Sequence, residues 1–321
     1  MFKQLVNECI IDLHIKPDGP LLIKSGIATT HGTDMAFVTI FRNGREEVYL
    51  PGSSLKGVLR SQAERIARTL SNNGEAACDP FAKKEDREPS CSACFDKRKE
   101  EKKEEINTPI AYQDSCLICK LFGSTWVAGR LATTDAYAVG EPPQPQQRDG
   151  VGIDRFTGGA AYGAKFDLEV IAEGTFATTL HLRNFELWQL ALVGFLLQDL
   201  KDGLIRLGMG KSRGLGKVQG EVQEVRLDFL GAKAPQQVKD GHLPLRGIGE
   251  LFDGWSAYDH DHKPAEILIP YAGEFKTNGV RATAIFTGGS FPWMLLGEAW
   301  VKRAKGYKMP NEMRRYRQRG G

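Results

Sequence analysis

Two Cys-x-x-Cys pairs, Cys91/Cys94 and Cys116/Cys119, restrict this chain more than any other feature it carries. Each pair brings two sulfurs round one tight knuckle, and a gap of about twenty residues lets the knuckles fold onto each other, the spacing of a tetrahedral zinc site. Four thiolates leave no open coordination position, so zinc held by Cys91, Cys94, Cys116 and Cys119 would be structural. Cys78 is a rival for one of the four positions, and Cys9, in an alternating stretch, reads as a buried thiol.

The surroundings of the cysteines favour thiols over disulfides. Residues 1–10 carry no long apolar run and no small-residue cleavage site. No stretch reaches the ~18 apolar residues of a membrane span; the apolar segment around Leu187–Leu200 is interrupted by Gln189, Gln198 and Asp199. The expectation is a cytoplasmic protein with no membrane partner, where six cysteines stay reduced. With 41% hydrophobic and 26% charged residues the chain can bury a core. A net charge of +3 leaves a nucleic-acid partner open, so local charge has to decide.

Hydrophobic periodicity lays out the elements. Leu5–Ile15 alternates and reads as a strand. Ser25–Asp34 is a Gly/Thr/Ser loop, and Ala36–Phe41 with Glu47–Leu50 form a hairpin around Asn43-Gly44. A serine cap in Pro51-Gly52-Ser53-Ser54 opens a helix with Leu55, Leu59, Ala63 and Ala67 on one face. Residues 72–120 form the cysteine-bearing insertion, whose mixed-charge run Lys97–Glu105 reads as a solvated helix or mobile loop. Leu131–Tyr137 is a strand, and Gly140–Asp149, rich in Pro and Gln, a loop tip. Phe166–Ala172 and Thr175–Leu182 are read as a hairpin. Asn184 caps a helix apolar nearly all round, Phe185–Leu200, and Lys217–Leu227 is the closing strand. Strand, helix, strand, strand, helix, strand is the ferredoxin-like order, the layout also of RNA-recognition domains, so the fold class is α+β with an RRM-like core over residues 1–230. Residues 231–321 form a C-terminal extension that ends strongly basic, with Glu312 the one acid after Trp300.

Three stretches carry chemistry beyond the cysteines. Gly208-Met-Gly-Lys-Ser-Arg-Gly-Leu-Gly216 sets Lys211, Ser212 and Arg213 among glycines, starting at Gly210. Such a loop lets backbone N–H groups approach phosphates and adds two cations. It is not a Walker A loop, because position 205 is Ile205. The start of the first helix, with Ser53, Ser54, Lys56 and Arg60, offers N–H groups and cations to an anion. Asp34, with His31 nearby, stands in the loop after the first strand.

Together, PGSSLKGVLRS at 51–61, CLICKLFGS at 116–124, IDRFTGGA at 153–160 and GMGKSRGLGKV at 208–218 resemble the RAMP superfamily, specifically the backbone subunits of type III CRISPR effector complexes. The resemblance covers roughly residues 5–228 and leaves the C-terminal extension unmatched. It implies an antiviral ribonucleoprotein complex whose partners are CRISPR guide RNA, single-stranded target RNA and other effector subunits. It implies that the glycine-rich loop and the helix start line a groove for the guide backbone. It implies a thumb hairpin over residues 137–165 that displaces a base pair, with Arg155 and Phe156 contacting RNA and Tyr162 a second stacking ring. Asp34 stands where cutting members carry the aspartate needed for target cleavage, which implies an endoribonuclease dependent on magnesium or manganese. His31 is a possible helper. The alternatives are a non-catalytic backbone or capping subunit, a zinc-ribbon scaffold that binds protein only, and a guide-processing endonuclease. Such processing enzymes often use a His near the first helix, and none lies between His31 and His181.

Overall fold

A computed structural model describes residues 3–26, 33–231, 240–259 and 266–317. The chain begins with strand β1 (Asn7–Pro17), hairpin β2 (Thr39–Arg42) and β3 (Arg45–Val48), and helix α1 (Gly52–Leu70). The cysteine-bearing insertion carries α2 (Cys91–Lys102), α3 (Thr108–Asp114) and α4 (Leu117–Phe122). Two short strands, β4 (Leu131–Thr133) and β5 (Tyr137–Ala138), lead into the long hairpin β6 (Gln146–Ile153) and β7 (Ala160–Val170). β8 (Phe176–Arg183), α5 (Leu187–Lys201) and β9 (Val218–Leu230) complete the core. Beyond it come β10 (His242–Arg246), α6 (Ile248–Leu251), β11 (Glu266–Pro270), β12 (Lys276–Thr277), β13 (Arg281–Thr287), α7 (Trp293–Gly306) and α8 (Asn311–Arg317).

The main sheet runs β12-β13-β9-β1-β8-β4, with β5 also on β8, and every pair is antiparallel. Taking β4 and β5 together as the second core strand, the order is fourth, first, third, second, the ferredoxin-like order the periodicity predicts. Cys9, Ile11, Leu13 and Ile15 of β1 point to the buried face. There they meet α1, whose Leu55, Leu59, Ala63 and Ala67 are buried at every fourth position, and α5, buried nearly all round. α7 covers α5 from the far side, with the Trp188 and Trp300 rings 6.0 Å apart. The C-terminal residues thus extend the core sheet through β13 and cover its helix layer. Among the described residues no helix is long and apolar enough to cross a membrane.

The Asn43-Gly44 turn is as expected: Asn43 has φ 53 and Gly44 φ 80, the pair of left-handed residues that a two-residue hairpin turn needs. Four local readings are corrected. Phe166–Ala172 does not pair with the strand after it; β7 pairs with β6, so the last four residues of the Pro/Gln-rich stretch, Gln146–Asp149, are strand, and β8 joins β1 instead. The cap of α1 is Pro51, and the first N–H, of Gly52, is taken by Asp135 Oδ1 at 2.7 Å. Asn184 does not cap α5. Glu186 does so in a capping box with Gln189, while Asn184 accepts from Val6 N–H and donates to the Gln4 carbonyl. The charged run after Lys97 is not simply solvated. Arg98 is 2% exposed and pairs with Glu104 and, at 2.6 Å, with Asp114.

Candidate nucleic-acid interface and metal centre

The glycine-rich loop is built on left-handed backbone. Gly208, Gly210, Gly214 and Gly216 have φ of 69, 73, 83 and 85. At two of them neighbouring backbone also stands too close for a side chain: a Cβ at Gly208 would sit 2.0 Å from the Leu22 carbonyl oxygen, and one at Gly216 2.2 Å from that of Leu207. The loop is laced to its neighbours by Met209 N–H to Leu22, Gly216 N–H to Pro20 and Leu207 N–H to Gly216. This frame pushes the 3-10 turn Lys211–Arg213 into solvent, with Lys211, Ser212 and Arg213 exposed.

Burial lowers the Lys211 pKa, and the Arg65 charge lowers it further; burial does the same to Lys56, with Arg60 adding to it. The charges acting on these two ammonium groups are therefore cations, a crowding that a bound anion would relieve. Arg65, on the exposed side of α1, is absent from the sequence-level set; its place outside the apolar stripe is the signal that marks it. Ser53 is exposed and Ser54 half-buried at the start of α1. Arg60 is a correction. Its guanidinium is turned inward, to Glu64 at 3.0 Å, the Gly123 carbonyl at 3.0 Å and Cys119 Sγ at 3.6 Å.

The loop meets the root of the β6–β7 hairpin. The Arg213 guanidinium lies 5.4 Å from the centre of the Phe166 ring. That ring lies across Gly150 of β6, where a Cβ would come within 2.2 Å of it. At the far end of the hairpin, Phe156 and Tyr162 are fully exposed, as is most of the surrounding tip. Asp154 orders this tip by accepting from Phe156 N–H at 2.7 Å and Thr157 N–H at 3.0 Å. The bond from Thr157, then that from Phe156, hold its carboxyl below the ordinary range. Arg155 and Phe156 are presented on this turn.

Asp34 is exposed and reaches the same hairpin root: Asp167 N–H of β7 donates to its Oδ2 at 3.2 Å. The chain beside it pairs with β7 through Met35 N–H to Asp167 O at 3.1 Å and Glu169 N–H to Met35 O at 3.0 Å. His31 lies outside the described residues. Asp34, the glycine-rich loop and the root of the hairpin thus converge, although they are remote in sequence. Phe166 and Glu169, which join them, are missed at sequence level because β7 is there paired with the wrong strand.

The open face of the sheet is a different surface. On the central strands β1 and β8 it presents Glu8, Ile10, Asp12, His14 and Lys16 beside Arg183, His181, Thr179 and Ala177. RNA-recognition domains stack bases on aromatic rings at these strands; here none of the named residues is Phe, Tyr or Trp, the rings are the imidazoles of His14 and His181, and Glu8 is tied to His181 and Arg183 and Asp12 to Thr179. The RRM-like layout comes without a Phe or Tyr stacking platform.

The metal centre differs from the sequence reading by one ligand. Cys78, Cys91, Cys116 and Cys119 are buried with their sulfurs all within 4.8 Å of one another. Zn–S bonds of about 2.3 Å set tetrahedral sulfurs roughly 3.8 Å apart. Cys78 Sγ stands 3.5 Å from Cys119 Sγ and 3.8 Å from Cys116 Sγ. Cys94, the expected fourth ligand, is one helical turn past Cys91, with its Sγ 3.9 Å from the Pro89 carbonyl. Cys78 replaces it because Arg68 of α1 grips the Cys78 carbonyl at 2.9 Å and fixes that stretch against the cluster. Hydrogen bonds among the sulfurs hold Cys116 well below the ordinary thiol pKa and push Cys91 and Cys119 well above it. Such a set can bind a metal ion such as zinc.

A family model described as RAMP superfamily matches residues 14–219, and comparison with curated proteins finds no match. The matched span runs from within β1 to the start of β9 and takes in the glycine-rich loop, the Asp34 loop, the long hairpin and the cysteine cluster. The chain belongs to the RAMP superfamily, the CRISPR-associated RNA-binding subunits.

Proposed function

We propose that this chain is a guide-RNA-binding backbone subunit of a type III CRISPR effector complex, and that it cuts bound target RNA through Asp34. The observation that carries the reading is the convergence at the hairpin root of a cationic, glycine-rich loop and an exposed carboxylate. Lys56, Lys211 and Arg65 supply positive charge for the sugar-phosphate backbone, and the glycine-rich frame lets that backbone come close. Residues 137–165 act as the thumb, with Phe156 and Tyr162 at its end to stack on bases it parts from the duplex. Residues 1–230 form the RNA-binding unit, and α7 of the C-terminal extension closes its helix layer. Zinc on Cys78, Cys91, Cys116 and Cys119 would tie the stretch after α1 to the start of α2 and to α4 and take no part in chemistry.

In the cut, the ribose 2′-hydroxyl attacks the adjacent phosphorus and the bond to the next 5′-oxygen breaks. This gives a cyclic phosphate and, once a solvent proton reaches the leaving oxygen, a free 5′-hydroxyl. Splaying a nucleotide supplies the in-line geometry, and Asp34 takes the 2′-hydroxyl proton. Magnesium or manganese, when bound, would add charge stabilisation at the phosphate, and the part this chain's own Asp34 plays is to accept the proton.

Replacing Lys56 and Lys211 by alanine is expected to weaken binding of all RNA sequences alike, because cations that meet phosphates carry no base information. The slope of log affinity against log salt should flatten by about 0.7 for each phosphate of a single strand that is no longer neutralised. Equilibrium binding across a salt series checks this, and a variant that binds like the parent would move the groove elsewhere.

A further inference from the structure

We propose that Glu169 is a positioning residue that clamps the Asp34 loop to the thumb, so that the carboxylate stands in place only when thumb strand β7 does. The inference rests on the cutting role proposed for Asp34 and adds a residue to it. Glu169 lies on β7, and its two carboxylate oxygens go to opposite sides of Asp34. Thr33 Oγ1 donates to Oε1 at 3.3 Å, and Phe37 N–H donates to Oε2 at 2.9 Å. The next residue but one on the same strand, Asp167, donates its N–H to Asp34 itself. The residue before that, Phe166, carries the contact with Arg213 of the glycine-rich loop. One strand therefore holds the residues before and after Asp34, the Asp34 carboxylate, and the cationic loop.

The chemistry of the clamp explains an acid in a place that otherwise disfavours one. A free carboxylate beside an RNA backbone repels it. Glu169 instead uses both oxygens on the loop, as a two-pronged acceptor that a shorter or apolar side chain cannot reproduce. Its work is geometric. A shift of about 1 Å in a reacting group can cost on the order of 100-fold in rate while leaving ground-state binding alone. Because β7 runs from this clamp, past an irregularity at Gly163, to the exposed tip that carries Tyr162, engagement of the thumb with RNA and alignment of Asp34 are coupled through one strand.

The test compares Glu169→Ala, Glu169→Gln and Asp34→Ala in the assembled effector complex with its guide. Single-turnover cleavage of labelled target, target affinity and amide hydrogen exchange over residues 33–37 are read together. Glutamine keeps an oxygen for Phe37 N–H, and its amide can donate to the Thr33 hydroxyl, so it restores the clamp without the charge. Glu169→Ala is expected to slow cleavage by roughly 10- to 100-fold, to speed exchange at Phe37 and to leave target affinity unchanged. Glu169→Gln should return both cleavage and exchange close to the parent. If Asp34→Ala abolishes cutting while Glu169→Ala cuts at the parent rate, the clamp is overturned and the role of Asp34 stands. A Glu169→Gln variant as slow as Glu169→Ala would mean that the charge, not the geometry, is what matters, and would equally overturn it. Unchanged cutting in Asp34→Ala would remove the role of Asp34 and this one with it.

Discussion

Cys78→Ser is expected to release the bound metal, and Cys94→Ser to keep it. The two residues are both buried cysteines of the same insertion, so removal of a core thiol alone cannot separate them. Position does: Cys78 Sγ lies within 3.8 Å of two other sulfurs, and Cys94 Sγ faces the Pro89 carbonyl. Zinc at about one per chain should be found in protein purified without chelator, and it should fall to near zero in Cys78→Ser. A structural zinc holds its ligands with about 10–16 kcal/mol in small domains. Removing it should therefore lower the thermal midpoint by ~10 °C or more, since each kcal/mol is worth a few degrees in a chain of this size. The effect should spread beyond the insertion, because Arg60 and Arg68 of α1 both reach the cluster and the Tyr307 hydroxyl donates to the Ser115 carbonyl beside it. Metal analysis on the two variants decides the ligand set. Zinc-free parent protein, or metal missing from Cys94→Ser alone, contradicts it.

Asp34→Ala is expected to reduce target cutting next to this subunit by about 100- to 10,000-fold, the usual worth of a positioned proton acceptor. Guide and target binding should stay almost intact. On the proposed role the carboxylate acts on the transition state, and removing a negative charge beside phosphates costs no ground-state affinity. Asp34→Asn sharpens the test. The amide oxygen still accepts from Asp167 N–H, so the loop keeps its anchor while the proton acceptor is gone. An Asn variant as inactive as the Ala variant separates chemistry from loop anchoring. Labelled target RNA and a full complex with magnesium or manganese give the readout. Parent-level cleavage in both variants leaves a subunit that binds RNA without cutting it.

Much of this architecture can be read from spacing alone, because the signals are local. The alternation of β1, the Asn43-Gly44 turn, the four-residue stripe of α1 and the closing strand all follow from periods of two or 3.6 and one turn rule. The failures share a physical cause, a partner distant in sequence. Nothing near Pro51 says that Asp135 will take the Gly52 N–H, since the two are brought together only when β4 and β5 join the sheet. Nothing in Lys97–Glu105 says that Arg98 will be buried, because its cover includes Met313 at the other end of the chain. The fourth metal ligand is ambiguous in the sequence for the same reason. Cys94 completes a familiar local motif, while Cys78 arrives through the grip of a helix that ends well before it. At the interface, the glycine-rich loop and Asp34 are each recognisable by type. Their meeting point is not, because it depends on β7 pairing with a Pro/Gln-rich stretch that carries no strand signal.

Two surfaces are candidates for RNA, the groove at the thumb root and the open face of the sheet; the thumb and groove offer exposed Phe and Tyr rings and close backbone approach, whereas the open-face cations Lys16 and Arg183 are paired with Glu221 and Glu8. Ultraviolet cross-linking of the chain to a short single-stranded RNA, followed by mass spectrometry of the linked peptides, decides between them. Linked residues should fall within 150–167, where Phe156, Tyr162 and Phe166 offer rings, and within 208–216. RNA linked to β1, β8 and β9 through their open faces, with the thumb and the glycine-rich loop unmarked, would overturn the assignment of the groove.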